Sequence, residues 1–303
     1  MPSSFSGSAI VLGIEIVFAS NSPEALKAAL SIFAARDDDK ITVPASPVSV
    51  TLTANRIVAH TADVNHIRGK QLHIVRNGIC VQADGDRGLG SCSFCMDVTD
   101  TELFREAVNT VVLFLVSQRD RTPVHASAVL IRDCAFVLAG RSGAGKSTLA
   151  LAGNRIGLTV LAEDTVFVQR EPSFRVWGLA DHIHVFEKDA PPVVDGPTRL
   201  RSGRLKRILP VDKTQRSTDK AALCVLEHGG RIALDPLPVE DAVGWLTREL
   251  ESGYDFYGSR MNDALRAIAV GGCWRLTLSD DPRGAISVLL DAFGNASADR
   301  QPD

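Results

Sequence analysis

The residues best suited to chemistry stand in one run, "LAGRSGAGKSTLAL", at positions 138–151. Gly140, Gly145, Lys146 and Ser147 fit the pattern G-x-x-x-x-G-K-[ST] without a mismatch. Glycines at such a bend let successive backbone N–H groups turn inward around an anion, because a side chain at those dihedral angles would clash. Lys146 then brings a point charge to the outer phosphates, and the Ser147 hydroxyl a ligand for Mg2+. Ser142, Gly143, Ala144 and Thr148 complete the loop and its exit into a helix. The run implies a bound nucleoside triphosphate, with ATP and Mg2+ as the expected cofactors.

An acidic pair, Glu163-Asp164, closes the next apolar run, "LTVLAED". At the end of a neighbouring parallel strand it would lie beside the phosphates, where open α/β sheets bind ligands. Asp164 joins Ser147 as an expected metal ligand, while Glu163 and Asp164 both stand as candidates for a general base. His125 leads "HASAVLI", a strand able to pair beside the loop strand, and is a candidate for orienting or assisting that base.

Two blocks of elements must position these groups. Residues 1–120 read as a strand-rich α+β accessory or recognition domain, with "SAIVLGIEIVFA", "VSVTLTA" and "QLHIVRNGICVQA" as strands. Asn77-Gly78 and Asp84-Gly85 mark turns there. A helix is expected from the Ser22 cap, with Glu24 in its first turn, and another from Thr99 or Asp100 into the basic turn "RDRTP". From residue 121 to 295 the order strand, glycine loop, helix, strand predicts an α/β catalytic domain. A proline-rich stretch (189–197), a basic stretch (199–207) and a tail expected to be disordered (296–303) complete the chain.

The totals narrow the class. The 303 residues are 45% hydrophobic and 23% charged, with a net charge of −3. That balance predicts neither nucleic acid nor a membrane as partner. No positive residue precedes the first apolar run, so no signal peptide is expected, and "AVNTVVLFLVS" is too short to span a bilayer. A cytoplasmic chain is expected, and the sequence leaves homo-oligomer formation open. Of six scattered cysteines, Cys92 and Cys95 form one C-x-x-C, and all six are expected to be reduced and structural.

Together "VHASAVLI", "GRSGAGKST" and "VLAEDTVFV" resemble the catalytic domain of the HPr kinase/phosphorylase family, tightly over residues 122–170 and loosely beyond. The resemblance implies a P-loop serine kinase in which Lys146 and Ser147 hold phosphates and magnesium. It also implies that the first member of the acidic pair is the general base, here Glu163 where the family usually has Asp, with His125 beside it. The glycine-rich signature that the family carries after the acidic pair is absent from "RILPVDKTQRS", which argues against HPr as substrate and against phosphorylase activity. The whole chain looks more like the HPr-kinase-like proteins that phosphorylate the C-terminal serine of lasso precursor peptides.

The expected function is ATP- and Mg-dependent phosphorylation of a peptide serine, with free serine, another small alcohol or an HPr-like protein as alternative acceptors. A nucleotide-binding switch without transfer activity is the reading from another class. Among Arg199, Arg201, Arg204, Lys206 and Arg207, the last two precede an apolar "ILP" and are the chosen cations for substrate. An exposed strand edge in the first domain offers an extended peptide a place to pair.

Overall fold

The computed structural model of the chain describes residues 4–33, 47–55, 63–95, 102–186, 198–201, 204–211, 216–250 and 254–294. The expected helix cap at Thr99 or Asp100, the proline-rich stretch and the tail lie outside the described residues. Contacts divide the chain into two compact units, Met1–Arg121 and Thr122–Asp303.

The first unit holds β1 (Phe5–Val11), β2 (Ile14–Ser20), α1 (Pro23–Ile32), β3 (Val48–Asn55), β4 (Val64–Arg68), β5 (Gln71–Arg76), β6 (Ile79–Asp84), β7 (Leu89–Cys95) and α2 (Glu102–Ser117). Its strands form one seven-stranded sheet in the order β1-β2-β3-β7-β6-β5-β4. The run "SAIVLGIEIVFA", expected as a single strand, is instead a hairpin. Leu12 and Gly13 both take positive φ, 52° and 74°, which folds β2 back on β1. Ser22 caps α1 as expected, its hydroxyl accepting from the Ala25 N–H at 3.2 Å. The helix α2 lies so close to β7 that a Cβ at Gly90 would fall 2.5 Å from Val111 Cγ2. The basic turn before β8 is not a solvated linker: Arg121 is buried and donates from Nε to Leu12 O at 2.8 Å.

The second unit starts with β8 (Thr122–Ile131), β9 (Cys134–Ala139), α3 (Lys146–Arg155), β10 (Val160–Ala162), β11 (Thr165–Gln169), β12 (Arg175–Gly178) and β13 (His182–Phe186). It continues with β14 (Thr198–Arg201), β15 (Arg204–Pro210), β16 (Ser217–Thr218), β17 (Lys220–His228), β18 (Ala233–Pro236), α4 (Val239–Arg248), α5 (Gly258–Ala269), β19 (Cys273–Leu278) and α6 (Pro282–Gly294). Nine strands form the main sheet, and β13-β15-β14 form a small one.

Period-two alternation decides how this sheet is covered. Ala135, Val137 and Ala139 of β9 join Ala221, Leu223 and Val225 of β17 in a core shared with α4 and α5. Phe136, Leu138, Ala222, Cys224 and Leu226, pointing the other way, pack with α3 and α6. Ten residues with a glycine at position 153 would make a marginal helix alone. Burial of Leu149 and Leu151, each contributing roughly 1.5–3 kcal/mol, holds α3 in place.

One expectation about topology is corrected. The strand ending in Glu163-Asp164 does not neighbour the loop strand. β8 pairs antiparallel with β9, and β10 pairs antiparallel with β8, so β10 runs in the direction of β9 but one strand beyond it. The short Arg132-Asp133 connection, with Arg132 at φ 59°, makes β8 and β9 a hairpin and leaves β9's other side to its parallel partner β17. The crossover through α3 must therefore pass over β8.

Candidate active site

The antiparallel hairpin explains how the site assembles. The start of β8 lies beside the end of β9, with Ala126 opposite Ala139, so His125 stands next to the point where the glycine loop begins. The loop leaves β9 at Gly140, where an added Cβ would sit 2.9 Å from the Ala144 Cβ. Gly143 and Gly145 take φ of 81° and 98°, the left-handed region that glycine enters without cost. Gly145 is the N-cap of α3 and supplies no side chain, so the helix N-terminus faces the loop without a side-chain cap. Arg141, Ser142 and Gly143 form the exposed tip, and His228, from the end of β17, places Nε2 3.3 Å from Gly143 O.

Lys146 is buried and donates from Nζ to Gly140 O at 2.8 Å and to Arg141 O at 3.2 Å. Its ammonium is thus held by the loop's own carbonyls. Ser147 donates from Oγ to Glu163 Oε1 at 2.8 Å. The second carboxylate oxygen of Glu163, Oε2, lies 3.2 Å from His184 Nδ1, and both side chains are 7% exposed. The Glu163 carbonyl accepts from the buried Ser127 hydroxyl, which anchors the backbone of the acidic pair on β8.

Asp164 turns the other way. Its Oδ1 lies 3.7 Å from His125 Nδ1, and its side chain is 37% exposed against 13% for His125. The Tyr254 ring stands 5.2 Å from the His125 ring, and the Tyr254 hydroxyl shares a 2.6 Å hydrogen bond with Thr165. An apolar pocket opens beside His125 and Gly140, walled by Leu246, Leu250, Met261 and Leu265, with Glu249 as its acid.

The sequence-selected residues of the loop, the acidic pair and His125 therefore meet at one end of the sheet. Thr148 lies exposed on the first turn of α3. Lys206 and Arg207 lie on β15, opposite Phe186 and Val185 of β13, and Lys206 Nζ stands 5.2 Å from the Phe186 ring. Arg199, Arg201 and Arg204 are placed as backbone of β14 and β15. Sequence reasoning missed His184, His228 and Tyr254. For His184 a signal existed: Ile183 and Val185 alternate into the core beneath α3, so a histidine between them on a buried strand had to face something polar.

Ser147 and Glu163 are hard oxygen donors side by side, a set that suits Mg2+, which takes one or two protein oxygens together with substrate phosphates. Among the described residues no three His, Cys, Asp or Glu side chains converge as a metal cage. No disulfide joins the six cysteines, and burial pushes the Cys92 thiol up to about 12. No described helix is long and apolar enough to cross a membrane.

No protein-family model matches this sequence, and no curated protein matches it. Among solved structures, the chain is similar to the HPr(Ser) kinase/phosphatase from Coxiella burnetii, with a TM-score of 0.30 and 13% identity over 56% of this chain and 94% of that one.

Proposed function

We propose that the chain is an ATP- and Mg2+-dependent kinase that phosphorylates a serine hydroxyl of a peptide. The observation that carries this reading is the division of labour in the acidic pair. Glu163, buried and engaged at both oxygens, stands on the phosphate-loop side with Ser147; Asp164, more than a third exposed, stands with His125. A pure nucleotide switch has no use for a second, accessible carboxylate beside the loop.

In this reading the glycine loop and the first turn of α3 cradle the phosphates, and Lys146 exchanges its loop carbonyls for phosphate oxygens. Ser147 and Glu163 hold Mg2+, which neutralises charge on the phosphates when bound. This reverses the expected weighting within the pair: Glu163, not Asp164, is the metal-side carboxylate. Asp164 accepts the proton of the acceptor hydroxyl as that oxygen attacks the γ-phosphorus in line; the bond from the γ-phosphorus to the β,γ-bridging oxygen breaks and ADP leaves with its electron pair, while His125 fixes the carboxylate's direction. Most of the acceleration comes from holding the reactants in line and offsetting charge.

Three features favour a peptide over free serine. The apolar wall of the pocket beside His125 can take contact from a side chain next to the reacting serine. The basic strand β15 runs beside β13, the strand that reaches Glu163, so Lys206 and Arg207 can hold a terminal carboxylate. The sheet of the first unit ends on β4, whose residues are almost all exposed, an edge that suits strand addition.

The test is incubation with ATP, Mg2+ and free serine, a Ser-ended peptide with an apolar penultimate residue, the same peptide with a polar one, and the amidated peptide. Phosphate transfer is read by mass. The apolar-penultimate peptide should turn over best. Equal turnover of free serine would overturn the peptide assignment, and no transfer to any acceptor would overturn the kinase.

A further inference from the structure

The buried histidine on β13 belongs to neither the glycine loop nor the exposed Asp164–His125 pair. We infer that His184 is a positioning residue for the metal-side carboxylate: it fixes Glu163 so that Oε1 faces Ser147. The inference rests on the reading of Ser147 and Glu163 as the Mg2+ ligands and extends it to a residue outside every motif.

The geometry supports this in three ways. The contact is from His184 Nδ1 to Glu163 Oε2 at 3.2 Å, while Oε1 of the same carboxylate takes the Ser147 hydroxyl at 2.8 Å. A carboxylate offers only acceptors, so Nδ1 carries the proton and donates. With one oxygen engaged by histidine and the other by serine, rotation of the carboxylate about its last bond is stopped. Finally, His184 is itself fixed. Ile183 and Val185 lock the strand against the α3 core, the backbone pairs with Ile208 of β15, and the His182 ring meets the His184 ring edge-on at 4.7 Å.

Glutamate is one methylene longer than aspartate and has one more torsion to immobilise. A carboxylate on so flexible a stem, placed next to a cation site, gains from a partner that selects one rotamer before the cation arrives. Outer partners of this kind typically change metal affinity by about 10–100-fold when removed.

The test compares wild type, His184→Leu, which fills the space without a donor, and His184→Asn, whose side-chain amide N–H sits where Nδ1–H does. Binding of ATP alone and of Mn2+·ATP is measured by calorimetry, with Mn2+ occupancy followed by electron paramagnetic resonance, and thermal unfolding is recorded for each protein. The expected result is metal-free ATP affinity unchanged within about twofold in all three. Mn2+·ATP affinity should be roughly tenfold weaker in His184→Leu and restored to within about threefold of wild type in His184→Asn. If His184→Leu fails to fold, His184→Gln takes its place. Its amide lies at the Nε2 position, not at Nδ1, so the same tenfold loss is expected. Wild-type Mn2+·ATP affinity in the donor-less variant, or equal weakening in His184→Asn, overturns the inference while leaving the kinase reading intact. Absence of ATP binding by the wild-type protein overturns both.

Discussion

Ser147 Oγ donates to Glu163 Oε1 at 2.8 Å across sixteen residues of sequence, whereas Asp164, the very next residue, points its carboxylate to His125. The two acids stand in the bend between β10 and β11 with their carboxylates turned to different partners, so they do not share one task. One is sequestered at the start of α3, and the other remains open to an incoming hydroxyl.

Removing the charge of each acid should therefore have different kinetic signatures. Asp164→Asn is expected to lower transfer by about 10²–10⁴ with Mg2+·ATP affinity near wild type, the share typical of a general base. Glu163→Gln is expected to raise the half-saturating Mg2+ concentration by about tenfold or more, the loss of one charge-assisted contact of roughly 1.5–3 kcal/mol. Steady-state kinetics over a Mg2+ titration checks both. Interchanged phenotypes would place the base at Glu163.

Lys146→Ala should weaken ATP by about 10–150-fold, again the loss of a charge-assisted contact of roughly 1.5–3 kcal/mol, without unfolding the protein. The ammonium donates to two backbone carbonyls of the glycine loop, Gly140 O and Arg141 O. Calorimetric titration and a thermal melt make the comparison. Unchanged ATP affinity would remove the glycine loop from nucleotide binding.

A buried thiol, Cys92, and a half-buried one, Cys134, predict an alkaline loss of stability. Burial, with a smaller push from Cys80, raises Cys92 to about 12; burial, with a smaller push from Asp133, raises Cys134 to about 11. In the unfolded chain both titrate near about 8.5. Below that pH the thiols are neutral in both states, and their contribution to stability is fully present. As pH rises from about 8.5 toward the folded values, the unfolded chain loses protons that the folded chain keeps, and that contribution is lost. Urea midpoints measured from pH 8 to 11 should fall. At pH 8 the native protein should resist alkylation at Cys92, and modification at the rate of a free thiol would contradict its burial.

The sequence by itself determined whatever depends on neighbours along the chain. The glycine loop was readable because positive φ at Gly143 and Gly145 is a local requirement. The covering of β9 and β17 on both faces was not, because each is a nearly continuous apolar run with no polar alternation to mark a face. The Leu12-Gly13 reversal escaped notice because a leucine with φ 52° is not a turn signal. Tertiary structure alone decided which acid faces the serine. The register between β10 and β8 shifts between Val160 and Ala162, and such an irregularity reverses the parity of every residue after it. Counting along "LTVLAED" therefore could not say which carboxylate points to the loop. His184 arrives from a different sheet, twenty-one residues beyond Glu163, and no local rule brings it there. Long-range pairing of β13 with β15, and the packing of Ile183 and Val185 beneath α3, does.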